Sequence, residues 1–269
     1  MKWRRLKSRQ KCVVCNKVGW CGYSSDMAFV ICMRIESDRP TKNGGWLHRV
    51  GDPVLDRPFT PEAVREVRPD LDTIWKRFEM LTDYHRVDGF AMSLGVDSDA
   101  LNAIGCAWSG NAWAFPMKSP DSKMIGIRLR GDNGRKWAIT GSHQGLFIPT
   151  HYPYDFDAPH FDGTLYLTEG PTDLAAAMTI GLQAIGRPSC LGQEQMILAY
   201  LARLKARRLV IITDNDDPGL NGARRLQTSL KLKSCIFTPP TKDLREYVRR
   251  GGNAMLVEAT LRDLIWKTA

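Results

Sequence analysis

Four of the seven cysteines in this 269-residue sequence fall within 21 residues, as Cys12-x2-Cys15-x5-Cys21-x10-Cys32; Cys106, Cys190 and Cys235 stand alone. A Cys-x-x-Cys step places two thiolates on one tight turn. A second pair brought in by a short hairpin closes a tetrahedral site of four thiolates, the arrangement of structural zinc. The segment is too short and polar to fold by burial alone, so metal binding would supply its folding energy. A redox Cys-x-x-Cys would need a strand–helix context that is missing here. His48 lies 16 residues past Cys32 and is expected at the surface or facing nucleic acid rather than as a ligand.

Carboxylates form the second group. The apolar run TLYLTEG ends in Glu169-Gly170, with Asp173 one turn into the helix that should follow. The run RLVIITDND ends in Asp214-Asn215-Asp216, with Asp217 next; Asp214 lies 45 residues beyond Glu169. Asp214 and Asp216, two apart in an extended segment, point the same way. Opposite Glu169 they would make a cluster of like charges that is unfavourable without a cation. Hard oxygen ligands of this kind suit Mg2+ or Mn2+, which can activate an attacking oxygen and stabilise a phosphoryl transition state. The competing reading is that these acids are helix N-caps.

Charge is uneven along the chain. Residues 1–50 hold eleven Lys/Arg against three acids, so most of the net +9 of the whole chain resides there. This block suggests a polyanion partner; a solubilising tail is the plainer reading. Further on, Arg128 and Arg130 alternate with Ile127 and Leu129 to give a strand with one basic face, and Lys136 begins the paired strand. These three are candidates for holding phosphates, against the alternative of a solvated hairpin face. Trp113 and Trp137 could stack on bases, although core packing suits either better. The composition, 43% hydrophobic and 25% charged, is that of a soluble globular protein. Runs such as Leu209–Ile212 are far too short to span a bilayer. MKWRRLKSRQ has no apolar stretch behind it, so no signal peptide and no membrane partner are expected. An odd cysteine count points to a reducing compartment, the cytoplasm.

The elements that must position these groups follow from periodicity. Residues 1–37 read as a zinc-binding module, 38–60 as a Gly/Pro-rich linker, 61–160 as a mixed α+β basic subdomain, and 161–269 as a parallel-sheet α/β domain with C-terminal helices. Val64, Val67, Leu71, Ile74, Trp75, Phe78 and Leu81 keep a helical period over 61–81, with Pro69 breaking or kinking it. A short helix is expected from residue 97 or 98 to 104, then strands at 113–117, 124–130 and 136–140, the last two joined through Gly131-Asp132-Asn133-Gly134. From Gly163 onward strands and helices alternate, which predicts a parallel sheet covered by helices. Two more helices are expected at 243–250 and 255–266.

The two strand ends, Leu167-Thr168-Glu169-Gly170-x-x-Asp173 and Ile212-Thr213-Asp214-Asn215-Asp216-x-x-Gly219, resemble in order and context the TOPRIM domain of bacterial primases, topoisomerases, RecR and some nucleases. Thr241-Lys242-Asp243-Leu244-Arg245-Glu246 resembles the lysine–aspartate segment that follows the sheet in phage and DnaG-type primases. The order of zinc module, basic mixed segment and TOPRIM domain is also that of these primases, although their zinc sites often include a histidine. The resemblance implies a DNA primase that makes short primers, RNA first of all, on single-stranded DNA from nucleoside triphosphates. It implies Glu169 as the catalytic or metal-organising carboxylate, and Asp214 and Asp216 as holders of Mg2+ or Mn2+, with Asp173 and Asp243 at the rim. Lys242 joins Arg128, Arg130 and Lys136 as a nucleic-acid or nucleotide contact. The resemblance also implies a bacterial cell as the setting, with a phage or other mobile element as a further source. No GxxxxGKS/T pattern occurs, so a replicative helicase would act in trans. A TOPRIM metal-dependent nuclease and a RecR-like non-catalytic DNA-binding factor stay open as alternatives.

Overall fold

The computed structural model describes residues 3–6, 10–41, 44–51, 70–150, 161–190 and 192–267. They fall into two compact units, Met1–Arg68 and Pro69–Ala269.

The first unit is an antiparallel sheet in the order β1 (Trp3–Arg5), β2 (Gly22–Ser24), β3 (Phe29–Cys32), β4 (Trp46–Arg49). Its buried core is small: Leu6, Val30 and three of the cysteines, Cys12, Cys21 and Cys32. The strand Trp46–Arg49 lies inside the stretch read as a linker and pairs with β3 from Phe29↔Arg49 to Cys32↔Trp46. The linker reading is therefore corrected for these residues. Their Gly/Pro-rich flanks obscured a strand that cross-strand pairing stabilises.

The second unit starts with helices. Asp70 caps α1 (Leu71–Leu81), accepting from the N–H groups of Asp72 and Thr73. The part of the expected helix at 61–69 lies outside the described residues. A helix not expected from the sequence, α2 (Tyr84–Leu94), is capped by Asp83 and closed by Gly95 in the left-handed region. Then come α3 (Ser98–Ala103) and an antiparallel sheet of β5 (Ala107–Trp108), β6 (Trp113–Lys118), β7 (Met124–Arg130) and β8 (Lys136–Ala138), paired in that order.

The parallel sheet follows: β9 (Thr164–Glu169), α4 (Pro171–Thr179), β10 (Ala184–Arg187), α5 (Glu194–Leu204), β11 (Arg208–Ile212), α6 (Asp217–Ser229) and β12 (Lys233–Phe237), then α7 (Leu244–Arg249) and α8 (Ala254–Asp263). Strand order is β10-β9-β11-β12, all parallel. β9 is buried along nearly its whole length, as a strand covered on both faces must be. Small side chains, Ala175 to Ala177, let α4 sink completely between the sheet and helices α3 and α7. The fold is the α/β class expected, with the parallel-sheet domain preceded by a mixed basic sheet and a cysteine-bearing module.

The two sheets of this unit are joined by one short extended segment. Leu146 exchanges both backbone hydrogen bonds with Lys118 at the end of β6, and Phe147 exchanges both with Gly186 in β10. Gly145 permits this approach, because a β-carbon there would lie 2.5 Å from the Lys118 carbonyl oxygen. Among the described residues no helix is long and apolar enough to cross a membrane.

Candidate active site

Strand order decides where a site can form. From β9 the chain crosses by α4 to β10 on one side; from β11 it crosses by α6 to β12 on the other. The connections leaving the carboxyl ends of neighbouring β9 and β11 therefore diverge and open a crevice, the usual ligand position in such sheets. Glu169 ends β9 at this crevice and Asp214 stands two residues past β11. Gly170, at φ 90°, turns the chain from strand into α4 in a conformation that an L side chain rarely adopts.

Glu169 is anchored from two directions on one oxygen. Its Oε1 accepts from Arg187 Nη2 at 3.0 Å and from Thr213 Oγ1 at 3.3 Å. Arg187 ends β10 directly beside Glu169 in the strand register and is buried. Sequence reasoning missed it. The available signal was a lone arginine at the carboxyl end of an otherwise apolar strand, the same place that Glu169 holds on β9.

The carboxylates crowd one another. Burial first, then the charges of Asp173, Glu169, Asp243 and Asp216, push the Asp214 carboxyl up to about 7. Burial and Asp243 push Asp173 up to about 6, against the lowering effect of the Arg245 N–H and guanidinium. Besides Glu169, three of the other four candidates also have structural partners. Asp216 caps α6, accepting from Gly219 N at 2.8 Å. Asp243 caps α7, accepting from Glu246 N at 2.7 Å, and pairs with Arg245 at 3.2 Å. Asp173 accepts from Arg245 N at 3.0 Å. The N-cap reading thus describes Asp216 and Asp243, while Glu169 and Asp214 line the pocket itself. A cation fits this donor set, because it would relieve the repulsion that lifts Asp214 and Asp173. The five do not form a tight preformed cage: among the described residues only the cysteines bring three or more ligand atoms within 4.8 Å of one another.

The basic face meets the same pocket. Arg128, Arg130 and Lys136 line it together with Glu169, Gly170, Pro188 and Asp214. Arg128 is held by the Pro188 carbonyl at 2.9 Å. Burial lowers Arg130 from the usual arginine value, and neighbouring Arg245 lowers it further. Lys242 is placed differently. It is exposed and lines an adjoining pocket with Arg245 and Arg249, sharing only Arg130 with the first. Trp113 is buried and stacked on Phe90 at 4.2 Å, so it belongs to the core. Trp137 is half-buried against Leu129 and Ile127.

In the first unit, the Sγ atoms of Cys12, Cys15, Cys21 and Cys32 lie within 4.8 Å of one another, with Cys15 and Cys21 3.9 Å apart. Zinc–sulfur bonds of about 2.3 Å in a tetrahedron give sulfur–sulfur edges of roughly 3.8 Å, so the four fit zinc. Backbone N–H groups of Met33 and Ile35 donate to Cys21 and Cys32 at 3.4 and 3.3 Å, and Arg34 approaches Cys15 at 3.6 Å. These donors suit thiolates rather than thiols. Without a cation, burial and then the Cys12 thiol push Cys21 up to about 12. His48 is bonded to the Ile35 carbonyl and takes no part in the cluster.

Residues 166–248 match a protein family described as Toprim-like. The match runs from β9 to α7 and so takes in both acidic strand ends. The fold around it is similar to a DNA primase domain from Pseudomonas aeruginosa, with a TM-score of 0.57 at 16% identity, covering 73% of this chain and 78% of that one. It is also similar to the Aquifex aeolicus primase, zinc-binding and RNA polymerase domains, with a TM-score of 0.56 at 15% identity over 73% of this chain and 60% of that one. A third likeness is to a DnaG primase catalytic domain bound to single-stranded DNA, with a TM-score of 0.52 at 15% identity, covering 73% and 80%. No curated protein matched the sequence. In the matched segment the β9 and β11 ends supply the carboxylates, and the preceding antiparallel sheet supplies the cations that face them.

Proposed function

We propose that this chain is a DNA primase, a nucleotidyltransferase that joins nucleotides into short primers, RNA in the first instance, on single-stranded DNA. The observation that carries this reading is the one pocket in which Glu169 and Asp214 face Arg128, Arg130 and Lys136. A polyphosphate needs cations along its length and carboxylates at its reacting end, and this pocket offers both. In the reaction, the 3′-hydroxyl of one nucleotide attacks the α-phosphorus of the next. An O–P bond forms, the bond to pyrophosphate breaks, and the hydroxyl proton passes to Glu169. Arg130 and Lys136 orient the triphosphate. Glu169 and Asp214, with Asp216, Asp173 and Asp243 around them, would hold Mg2+ or Mn2+. When bound, such an ion supplies charge neutralisation for the phosphates and acidifies the attacking hydroxyl. Lys242, in the adjoining pocket, holds a phosphate farther along the template or nucleotide.

In this reading residues 1–37 carry structural zinc and select the template, 61–160 carry the basic face, and 161–269 carry the carboxylates. The similar DnaG domain bound to single-stranded DNA supports the choice of template. A helicase acting in trans is the further partner, and an odd number of cysteines, four of them gathered at one metal site, fits the reducing bacterial cytoplasm. The test incubates the full chain with single-stranded DNA, labelled nucleoside triphosphates and Mg2+ or Mn2+. Short labelled products that depend on template and triphosphate are expected. DNA degradation with metal alone and no incorporation would replace this reading with a nuclease. DNA binding without either reaction would leave a non-catalytic factor.

A further inference from the structure

The β9 and β10 ends place a permanent cation inside the carboxylate site. Arg187 is 1% exposed, and its register partner in the sheet is Glu169 itself. Its backbone is fixed as well, since its carbonyl accepts from Gly170 N at 2.7 Å. The guanidinium is thus enclosed at the strand end, shielded from solvent. Arginine stays protonated at every working pH. Among the described residues its Nε has no hydrogen-bond partner, while Nη2 pairs with Glu169 Oε1 at 3.0 Å. Thr213 Oγ1 approaches the same oxygen. Both donors thus sit on Oε1.

We propose that Arg187 is a positioning residue that holds Oε1 of Glu169 throughout turnover, so that Glu169 meets cation and substrate through Oε2 alone. The inference rests on the reading of Glu169 as the functional carboxylate. It has a consequence for the order of binding. Arg187 cancels the charge of Glu169, and Arg128, Arg130 and Lys136 make the pocket positive around Asp214. A divalent ion then enters poorly by itself and well in company with the nucleotide phosphates that it neutralises. Arg187 thereby couples ion binding to nucleotide binding.

The test measures Mn2+ binding to the full chain by calorimetry without nucleotide, beside single-turnover nucleotide incorporation. Arg187→Gln keeps hydrogen-bonding atoms but removes the charge. It should bind Mn2+ roughly tenfold more tightly than wild type, because repulsion of a divalent ion by a nearby buried charge is removed. Its incorporation at saturating Mn2+ should fall. Arg187→Lys should keep ion affinity near that of wild type and recover part of the rate. The gain in affinity should vanish when Glu169→Gln is added to Arg187→Gln. A merely structural arginine would lower thermal stability and leave ion affinity unchanged or weakened, and that result overturns the proposal. Ion binding absent from both wild type and Arg187→Gln also overturns it. If Arg187→Gln does not fold, the unaltered chain gives the answer. The Arg187 side-chain 15N signal, identified by its disappearance in Arg187→Lys, should stay slowly exchanging when Mg2+ and nucleotide are added. Its release on ligand addition would show Arg187 leaving Glu169. Ion affinities that shift as expected in a chain making no primers would sink the functional reading and keep the role of Arg187; the reverse pattern would do the opposite.

Discussion

Replacing Glu169 tests chemistry and stability at once, and the structure indicates how to separate them. The side chain of Glu169 is 12% exposed and that of Arg187 is 2% exposed. Removing one partner of a buried pair typically costs about 3–5 kcal/mol, because the other charge is left uncompensated. Glu169→Ala should approach that range. Glu169→Gln keeps an amide oxygen within reach of the guanidinium, and a hydrogen bond to a charged group retains about 1.5–3 kcal/mol, so its cost should be nearer 1–2 kcal/mol. For a unit the size of Pro69–Ala269 each kcal/mol moves the midpoint by about 2–4 °C. Thermal unfolding followed by circular dichroism in EDTA should then show drops of roughly 6–20 °C for Glu169→Ala and 2–8 °C for Glu169→Gln. Replacing both partners by apolar residues, Glu169→Leu with Arg187→Met, should recover most of the stability, because the desolvation penalty goes with the pair. An alanine variant as stable as wild type would refute the assignment of this ion pair as a buried structural contact. Activity of Glu169→Gln is therefore informative only well below its own midpoint.

Cys15→Ser should abolish stoichiometric zinc in elemental analysis and make residues 1–68 protease-sensitive, with the midpoint of residues 69–269 unchanged; three of the five residues in the first unit's buried apolar cluster are cysteines, beside Leu6 and Val30. Asp214 and Asp173 have folded-state values raised to about 7 and about 6, so the folded chain binds more protons than the unfolded chain between about pH 4 and 7. Their contribution to stability is complete below that window and lost as pH rises through it, so the melting midpoint in EDTA should fall from pH 5 to pH 8. Asp214→Asn or added Mg2+ should flatten the profile, and a profile indifferent to both would remove the case for a cation here. Arg130→Ala and Lys136→Ala should each lessen the salt dependence of single-strand binding, by about 0.7 in the slope of log affinity against log salt for each phosphate that is no longer neutralised. Unchanged slopes would take phosphates away from this face.

Much of the parallel sheet was legible because its strands are short apolar runs bounded by acids and glycines, as in Thr164–Glu169 and Arg208–Ile212. The cysteine cluster was legible from spacing alone. What escaped was set by pairing at a distance or by weak local pattern. Helix α2 had its cap signals, Asp83 before and Gly95 after, but Gly89 inside it and the exposed Tyr84 and Met92 blurred the apolar face of Val87, Ala91 and Leu94. The strand Trp46–Arg49 exists by virtue of β3, which composition cannot reveal. In the sequence Trp113 suits a core better than a base, and its stacking on Phe90 places it in the core.

The convergence of acids and bases was the least legible feature, because it depends on three residues that carry no chemistry. Leu146 and Ile148 belong to the apolar core, and Phe147 continues the edge of the parallel sheet by pairing with Gly186. Leu146 meanwhile pairs with Lys118, whose buried ammonium group reaches the Ile148 carbonyl at 2.9 Å. The segment thus belongs to both sheets and fixes one against the other. Gly186 lies one residue before Arg187, so the junction is made at the strand end that anchors Glu169. Arg128 then closes the gap through the Pro188 carbonyl, one residue beyond Arg187. Two sheets separated in sequence therefore meet at residues 186–188, and the basic face of β7 has little freedom but to lie over the carboxylates of β9 and β11. The site is positioned by an apolar strand and a backbone carbonyl, and the charged residues only use that placement.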